Sequence, residues 1–316
     1  MDAHTTPAGL RPLWDHLSHG LIGLEPLIER LMISLLSGGH VLIEGPPGLA
    51  KTRAVKWLSS AIEGSFARIQ CTPDLMPSDL TGTPVYRPGT GDFAFVKGPV
   101  FHNLVLVDEI NRAPPKVQSA LLEAMAEHQV TAGNETHPLP DPFLVVATQN
   151  PIEQDGTFPL PEAQLDRFLL YVVLTLPDAT AERQILDLVE SESTGVRPMP
   201  PQLSLDDLAN ARQQAMRTHL APELRDYIVR LVMATREGDL RDDIAHPVSP
   251  RGTLALASAA KARAFLRGRD HALPEDVEAL APDALAHRMV LSWRAVAEGK
   301  TARALVSDIL SRVEPL

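Results

Sequence analysis

Five short runs dominated by Val, Ile and Leu, at residues 41–44, 66–70, 104–108, 143–148 and 168–174, are separated by stretches of helical periodicity. Such alternation predicts βαβ units, and with them a mostly parallel sheet covered by helices. The runs are near-continuous in apolar residues, the pattern of strands buried on both faces. Helices are expected over 25–36, 51–62 and 115–126. Two inserts break the pattern. Residues 84–98 place Arg87-Pro88-Gly89-Thr90-Gly91-Asp92 between Val85-Tyr86 and Phe93-Ala94-Phe95, a β-hairpin with a Gly-rich turn. Residues 129–139 read as a second hairpin turning at Gly133-Asn134, and both should project from the core.

From about residue 178 the strand signal vanishes and amphipathic helical periods run to the end, with no internal repeat. Ser204 with Asp207 has the spacing of a capping box, and Pro222, Pro250 and Pro274 each suit a first helical turn. The three prolines within 190–201 mark a linker between helices of this second half. The expected organisation is an α/β core over 1–178 and a helical domain over 179–316.

Composition narrows the class. The chain has 316 residues, 44% hydrophobic and 22% charged, which is ordinary globular usage; aromatics are only 4%, so the core should be mainly aliphatic. The net charge is −11, the wrong sign for a protein living on phosphate backbones. One cysteine, Cys71, rules out an intrachain disulfide and suits a reducing compartment, where it reads as a small buried hydrophobe. No basic start leads into an apolar stretch at the N-terminus, and the longest apolar run is far short of a membrane span, so a cytoplasmic protein without membrane insertion is expected.

Residues 45–52 read Gly45-Pro46-Pro47-Gly48-Leu49-Ala50-Lys51-Thr52, directly after an expected strand and opening an expected helix. That context suits a phosphate-binding loop: backbone N–H groups at the helix start surround phosphate oxygens, Lys51 neutralises the terminal phosphates and Thr52 ligates Mg²⁺. Arg53 follows within reach of the same nucleotide. Ala50 departs from the general pattern, which has Gly there; the loop still holds if Ala50 has negative φ and Gly45 and Gly48 take the unusual backbone angles. The bland alternative is a Pro-Gly turn before a helix.

The run 104–107 leads into Asp108-Glu109, two carboxylates at the carboxyl end of a buried strand, where open α/β sheets bind ligands. Beside a phosphate loop, Asp108 supports Mg²⁺ and Glu109 polarises the attacking water. Another run ends in Gln149-Asn150-Pro151, where the neutral amide of Asn150 can sense the γ-phosphate and the lytic water; an Asn before Pro is also a plain turn residue. His16 and His19 lack a third ligand at metal spacing, Arg112 could face nucleotide or a neighbour, and the basic runs 261–263 and 267–269 read as a solvated helix face.

With these residues in hand, the chain resembles the MoxR family of AAA+ ATPases over nearly its whole length. The resemblance rests on 42–52, where Ala50 is itself typical of the family, and on Val107-Asp108-Glu109-Ile110-Asn111-Arg112-Ala113-Pro114-Pro115-Lys116. Ala147-Thr148-Gln149-Asn150-Pro151-Ile152-Glu153-Gln154, Leu160-Pro161-Glu162-Ala163-Gln164-Leu165-Asp166-Arg167-Phe168 and Ser249-Pro250-Arg251 extend it. It implies an AAA+ core with a five-stranded parallel sheet, two inserted hairpins and a helical lid. It implies ATP/ADP and Mg²⁺ as ligands and a homo-oligomeric, hexameric ring. It also implies a protein client and a separate partner bearing a von Willebrand factor A domain, in maturation, metal insertion or assembly of the client. By similarity Arg167 is an arginine finger completing the neighbour's site, against the alternative of an ion pair with Asp166, and Arg251 is a second sensor acting in cis or in trans. Where the family has Val-Gly-Gln this chain has Ile22-Gly23-Leu24, which keeps an apolar wall for adenine but not the amide. The rival functions are a DNA-dependent AAA+ motor or regulator, which the net charge opposes, and a nucleotide-switched scaffold, which the Asp108-Glu109 pair opposes.

Overall fold

The computed structural model describes residues 6–89, 91–132, 135–151, 156–195 and 202–315. Helices α1 (Arg11–Gly20) and α2 (Glu25–Ser37) lead into β1 (Val41–Glu44), α3 (Lys51–Ser60), β2 (Phe66–Gln70) and the short α4 (Pro77–Thr81). Next come a hairpin of β3 (Gly82–Arg87) and β4 (Asp92–Lys97), then β5 (Leu104–Asp108) and α5 (Pro115–Glu127). A second hairpin, β6 (Gln129–Ala132) and β7 (Glu135–Pro138), precedes β8 (Leu144–Gln149), the single-turn α6 (Glu162–Leu165) and β9 (Leu170–Val173). The expected turn residues Thr90, Gly133 and Asn134 lie outside the described residues, as do Ile152, Glu153 and Gln154.

The central sheet has five parallel strands in the order β2-β5-β8-β1-β9. Successive side chains of the middle strands point to opposite faces, as strand geometry requires. Val41, Ile43, Leu104, Leu106, Leu144 and Val146 join a hydrophobic cluster with α1, α2 and α3, whereas Leu42, Val105, Val107, Val145 and Ala147 join another with α5. β1, β5 and β8 are thus covered on both faces. The same expectation fails for β2 and β9, which lie at the edges: β2 exposes Arg68 and Gln70, and β9 exposes Val173.

The second half comprises α7 (Ala179–Thr194), α8 (Leu205–Arg217), α9 (Pro222–Met233), β10 (Ile244–His246), α10 (Pro250–Leu266), α11 (Pro274–Leu285), β11 (Val290–Leu291), α12 (Trp293–Ala297) and α13 (Ala302–Arg312). Pro222, Pro250 and Pro274 each open a helix, and the Ser204 hydroxyl accepts from the Asp207 N–H at 3.0 Å. Three expectations need correction. The strand signal does not end at 178, because β10 and β11 pair as a small antiparallel ladder too short to leave a periodic trace. The linker starts later than 190, because α7 continues to Thr194, with Asp178 capping its first turn; Pro198, Pro200 and Pro201 lie outside the described residues. The basic runs are not a solvated face. Arg263 is buried between Glu29 of α2 at 3.2 Å and Asp276 of α11 at 2.8 Å, Arg267 reaches Glu29 and Arg269 reaches Asp276. These pairs tie the helical half to α2, and removing one partner would leave a buried charge uncompensated. Among the described residues no helix is long and apolar enough to cross a membrane.

Candidate active site

Two adjoining cavities open where the carboxyl ends of the middle strands meet the amino end of α3. One, of about 410 Å³, is lined by the loop from Pro47 to Arg53 together with Asp108, Glu109, Asn150, Thr148, Arg68 and Gln70. The strand ends supply the carboxylates and the amide, and the loop supplies the helix start. α3 has no side-chain cap, so the N–H groups of its first turn and their positive end of the helix dipole face this cavity. The Lys51 ammonium lies back on the loop, donating to the carbonyls of Gly45, of Pro46 at 3.2 Å and of Gln149 at 3.3 Å. The Thr52 hydroxyl meets both carboxylate oxygens of the buried Asp108 at 3.2 Å. A hydroxyl beside a carboxylate, in front of an uncapped helix start and a lysine, is the donor set that a Mg²⁺-bearing phosphate chain takes.

The loop's backbone differs from expectation at two places. Ala50 is left-handed at φ 52°, so it has not escaped the conformation that Gly supplies elsewhere. Of the two glycines, only Gly48 has positive φ, at 87°. Gly45 is needed for space: a Cβ there would sit 3.1 Å from Cβ of Leu174 and 3.3 Å from Cδ1 of Leu49. Glu109 is also left-handed, at φ 57°, with its N–H donated to the Thr148 hydroxyl at 3.0 Å.

Arg68, Gln70 and Thr148 were not anticipated. Arg68 pairs with Asp108 at 2.7 Å and donates to Gln70 at 3.0 Å, while Gln70 donates to the Glu109 carboxylate at 3.1 Å and Thr148 donates to Asp108 at 3.2 Å. Arg112 also meets Glu109, at 3.4 Å. Arg68 and Gln70 are two apart on β2, and Gln70 stands opposite Asp108 in register. Two polar residues on one face at the carboxyl end of a strand were the available signal.

The second cavity, of about 430 Å³, is walled by Leu21, Ile22, Gly23, Leu24, Leu49 and the α7 residues Ile185, Leu188 and Val189. Arg53 lines both cavities. Its guanidinium pairs with Glu192 of α7, donates to the Gly20 carbonyl at 3.0 Å and stacks on Trp57. Behind the site Cys71 is buried, and burial together with the charges of Asp108 and Glu109 raises its thiol pKa to about 12. His16 stacks on Trp57 at 4.6 Å and lies in no metal cluster among the described residues.

Arg167 and Arg251 line neither cavity. The Arg167 guanidinium donates to the Leu122 carbonyl of α5, and Asp166 pairs instead with Arg288 at 3.0 Å and with Arg251 at 3.5 Å.

Comparison with known proteins gives the family to which the fold is similar. The family model described as "ATPase family associated with various cellular activities (AAA)" matches residues 40–170, and that of the AAA lid domain matches 236–309. The chain is 44% identical over 301 residues to Chaperone MoxR1 of Mycobacterium tuberculosis, covering 93% of this chain and 78% of that one. It is 35% identical to protein MoxR of Paracoccus denitrificans, with 86% of each chain covered. A solved structure assigned as an ATPase from Cytophaga hutchinsonii superposes with a TM-score of 0.88 at 42% identity, over 97% of this chain and 94% of that one.

Proposed function

The chain belongs to the MoxR family of AAA+ ATPases and is an ATP-hydrolysing enzyme, and from that premise we propose that it works as a chaperone-like ring that spends Mg-ATP on remodelling a client protein. The observation that carries the proposal is the 410 Å³ cavity in which Lys51, Thr52, Asp108, Glu109 and Asn150 converge on the uncapped start of α3.

In this reading the N–H groups of residues 48–52 and the Lys51 ammonium bind the phosphates, while the apolar cavity takes the base. Thr52 and Asp108 would hold Mg²⁺, whose charge would offset that of the phosphates. Glu109 takes the proton of the attacking water and Asn150 orients that water by hydrogen bonding. Arg68 and Thr148 fix the Asp108 carboxylate, and Gln70 fixes that of Glu109. The base pocket offers apolar contact from Leu24 and α7 without an amide from that position, so base selectivity has to come from elsewhere in the cavity.

The placement of Arg167 and Arg251 outside both cavities supports their serving the site of an adjacent subunit, with Arg167 stabilising transition-state charge. The ring is hexameric in this proposal, with core 1–178 and lid 179–316 moving against each other. The hairpins would contact the client: Tyr86, Phe93 and Val96 of the first are exposed, and its Phe95 stacks on His137 of the second at 4.2 Å. A separate protein with a von Willebrand factor A domain would recruit a client for maturation or metal insertion, in the cytoplasm.

The shared site is tested by mixing. Arg167→Ala and Lys51→Ala subunits, each inactive alone, should regain hydrolysis when combined, because some sites then hold an intact loop beside an intact finger. No recovery at any ratio would count against action in trans.

A further inference from the structure

Arg288 is the last residue of the single helical turn after α11 and its side chain is 2% exposed, yet its guanidinium is spent on one short segment of the core. Its Nε donates to a carboxylate oxygen of Asp166 at 3.0 Å. The two Nη groups donate to the backbone carbonyls of Asp166 at 3.3 Å, Phe168 at 2.6 Å and Leu169 at 3.2 Å, and also to that of Ala284 at the end of α11. Burial lowers the Arg288 pKa to about 10 and the adjacent Asp166 opposes the shift, so it stays charged near neutrality. His287 is buried beside it, with Nε2 3.1 Å from the Phe168 carbonyl. Burial holds His287 neutral, and the ring then donates through that nitrogen. The carbonyls on both sides of Arg167 are therefore held by the lid.

Asp166 carries the connection onward. Its carboxylate accepts from the Ser249 hydroxyl at 3.1 Å and meets Arg251 at 3.5 Å, and the same hydroxyl accepts from the Arg251 N–H at 3.2 Å as the cap of α10. One carboxylate thus joins two separate parts of the lid to the residue next to Arg167. Neither Asp166 nor Arg288 lines either cavity of its own chain. A forked guanidinium with several carbonyls fixes orientation in a way that a point charge does not.

We infer that Arg288 and Asp166 are positioning residues that bind Arg167 and Arg251 into one unit, so that the attitude of a subunit's lid sets how both arginines are presented to the adjacent subunit's nucleotide. This rests on the proposed action of Arg167 in trans. A lid that moves with its own nucleotide then changes the neighbour's rate without touching the neighbour's loop.

The test uses the full chain with Arg288→Lys, which keeps the charge and loses the fork, and Asp166→Asn, which keeps the shape and guards against failure of the first variant to fold. Each variant alone should bind ATP with a KM near that of the unaltered protein. Its kcat should fall roughly 10- to 100-fold, the scale of a small misplacement of a catalytic group. Mixed with Lys51→Ala subunits, each should regain hydrolysis, since the variant's intact loop then lies beside an undisturbed Arg167. A buried residue needed only for folding would impair its own loop and gain nothing from such a neighbour. The Arg167→Ala mixture is run in parallel. If it recovers and the Arg288 and Asp166 mixtures do not, the positioning role is overturned and the shared site stands. If no mixture recovers, the shared site itself fails and this inference falls with it. Unchanged kcat in both variants alone also overturns it.

Discussion

Ala50 holds a left-handed conformation, φ 52° and ψ 21°, at the point where the phosphate loop becomes α3. For an L-residue with a Cβ this costs ~1–2 kcal/mol, which glycine avoids. Glycine also loosens the unfolded chain by about 0.4–1 kcal/mol, so Ala50→Gly should raise stability by a net ~0.5–1 kcal/mol, read as a higher urea midpoint; a lower midpoint would contradict the left-handed geometry. The same region strains Glu109, so two residues of the proposed machinery sit in sparsely populated backbone, as functional sites often require. Residue identity marked the loop, the two carboxylates and the amide that converge on the cavity but not this strain, because the sequence pattern names a residue and not its φ. Cys71 gives another test at this scale. With its thiol raised to about 12, chiefly by burial, almost no thiolate exists at pH 8. The folded protein should therefore resist iodoacetamide at that pH and become alkylated in denaturant, and rapid labelling of the native state would show the thiol to be accessible.

At the scale of elements, the three middle strands and the helices behind the loop were legible, because apolar runs buried on both faces leave an unbroken signal. The edge strands were not: β2 carries Arg68 and Gln70 on a face that meets the cavity rather than a helix, so burial and polarity part company there. The small β10–β11 ladder and the buried, salt-bridged Arg263 of α10 were missed for a related reason, since two or three residues carry no period and charge alone does not reveal whether a partner is buried. Joining the elements also has a pH signature. His40, just before β1, accepts from the Val145 N–H of β8 at 3.0 Å and lies 3.3 Å from the Met125 carbonyl of α5. Burial, helped by nearby His128, lowers its pKa from 6.5 to about 4. The unfolded chain then binds a proton that the folded one refuses between those values, so stability is full above about 6.5 and falls as the pH drops toward 4. His40→Gln should flatten that acid limb by up to ~1.4 kcal/mol per pH unit, measured by urea unfolding across the window, and an unchanged slope would remove His40 as its source.

Across the whole molecule, one hydrophobic cluster runs from a face of the sheet through α2 into the lid, and the pairs Glu29–Arg263 and Asp166–Arg288 bridge core and lid at two places. The proposed movement of lid against core therefore has to be transmitted through packed and charged contacts. The net charge of −11 sets a protein client apart from a nucleic-acid one, since a motor on DNA would face a phosphate backbone of its own sign. Composition and motif order made the class of machine legible, whereas the separation of Arg167 and Arg251 from their own chain's cavities emerged only with the fold. Glu109 should act as the base over a nucleotide held by other residues, and the direct measurement is steady-state ATP hydrolysis by Glu109→Gln with nucleotide affinity measured alongside. The expected result is binding within a few-fold of the unaltered protein and a turnover lower by ~100-fold or more, the scale of losing a general base; turnover near that of the unaltered protein would contradict the assignment.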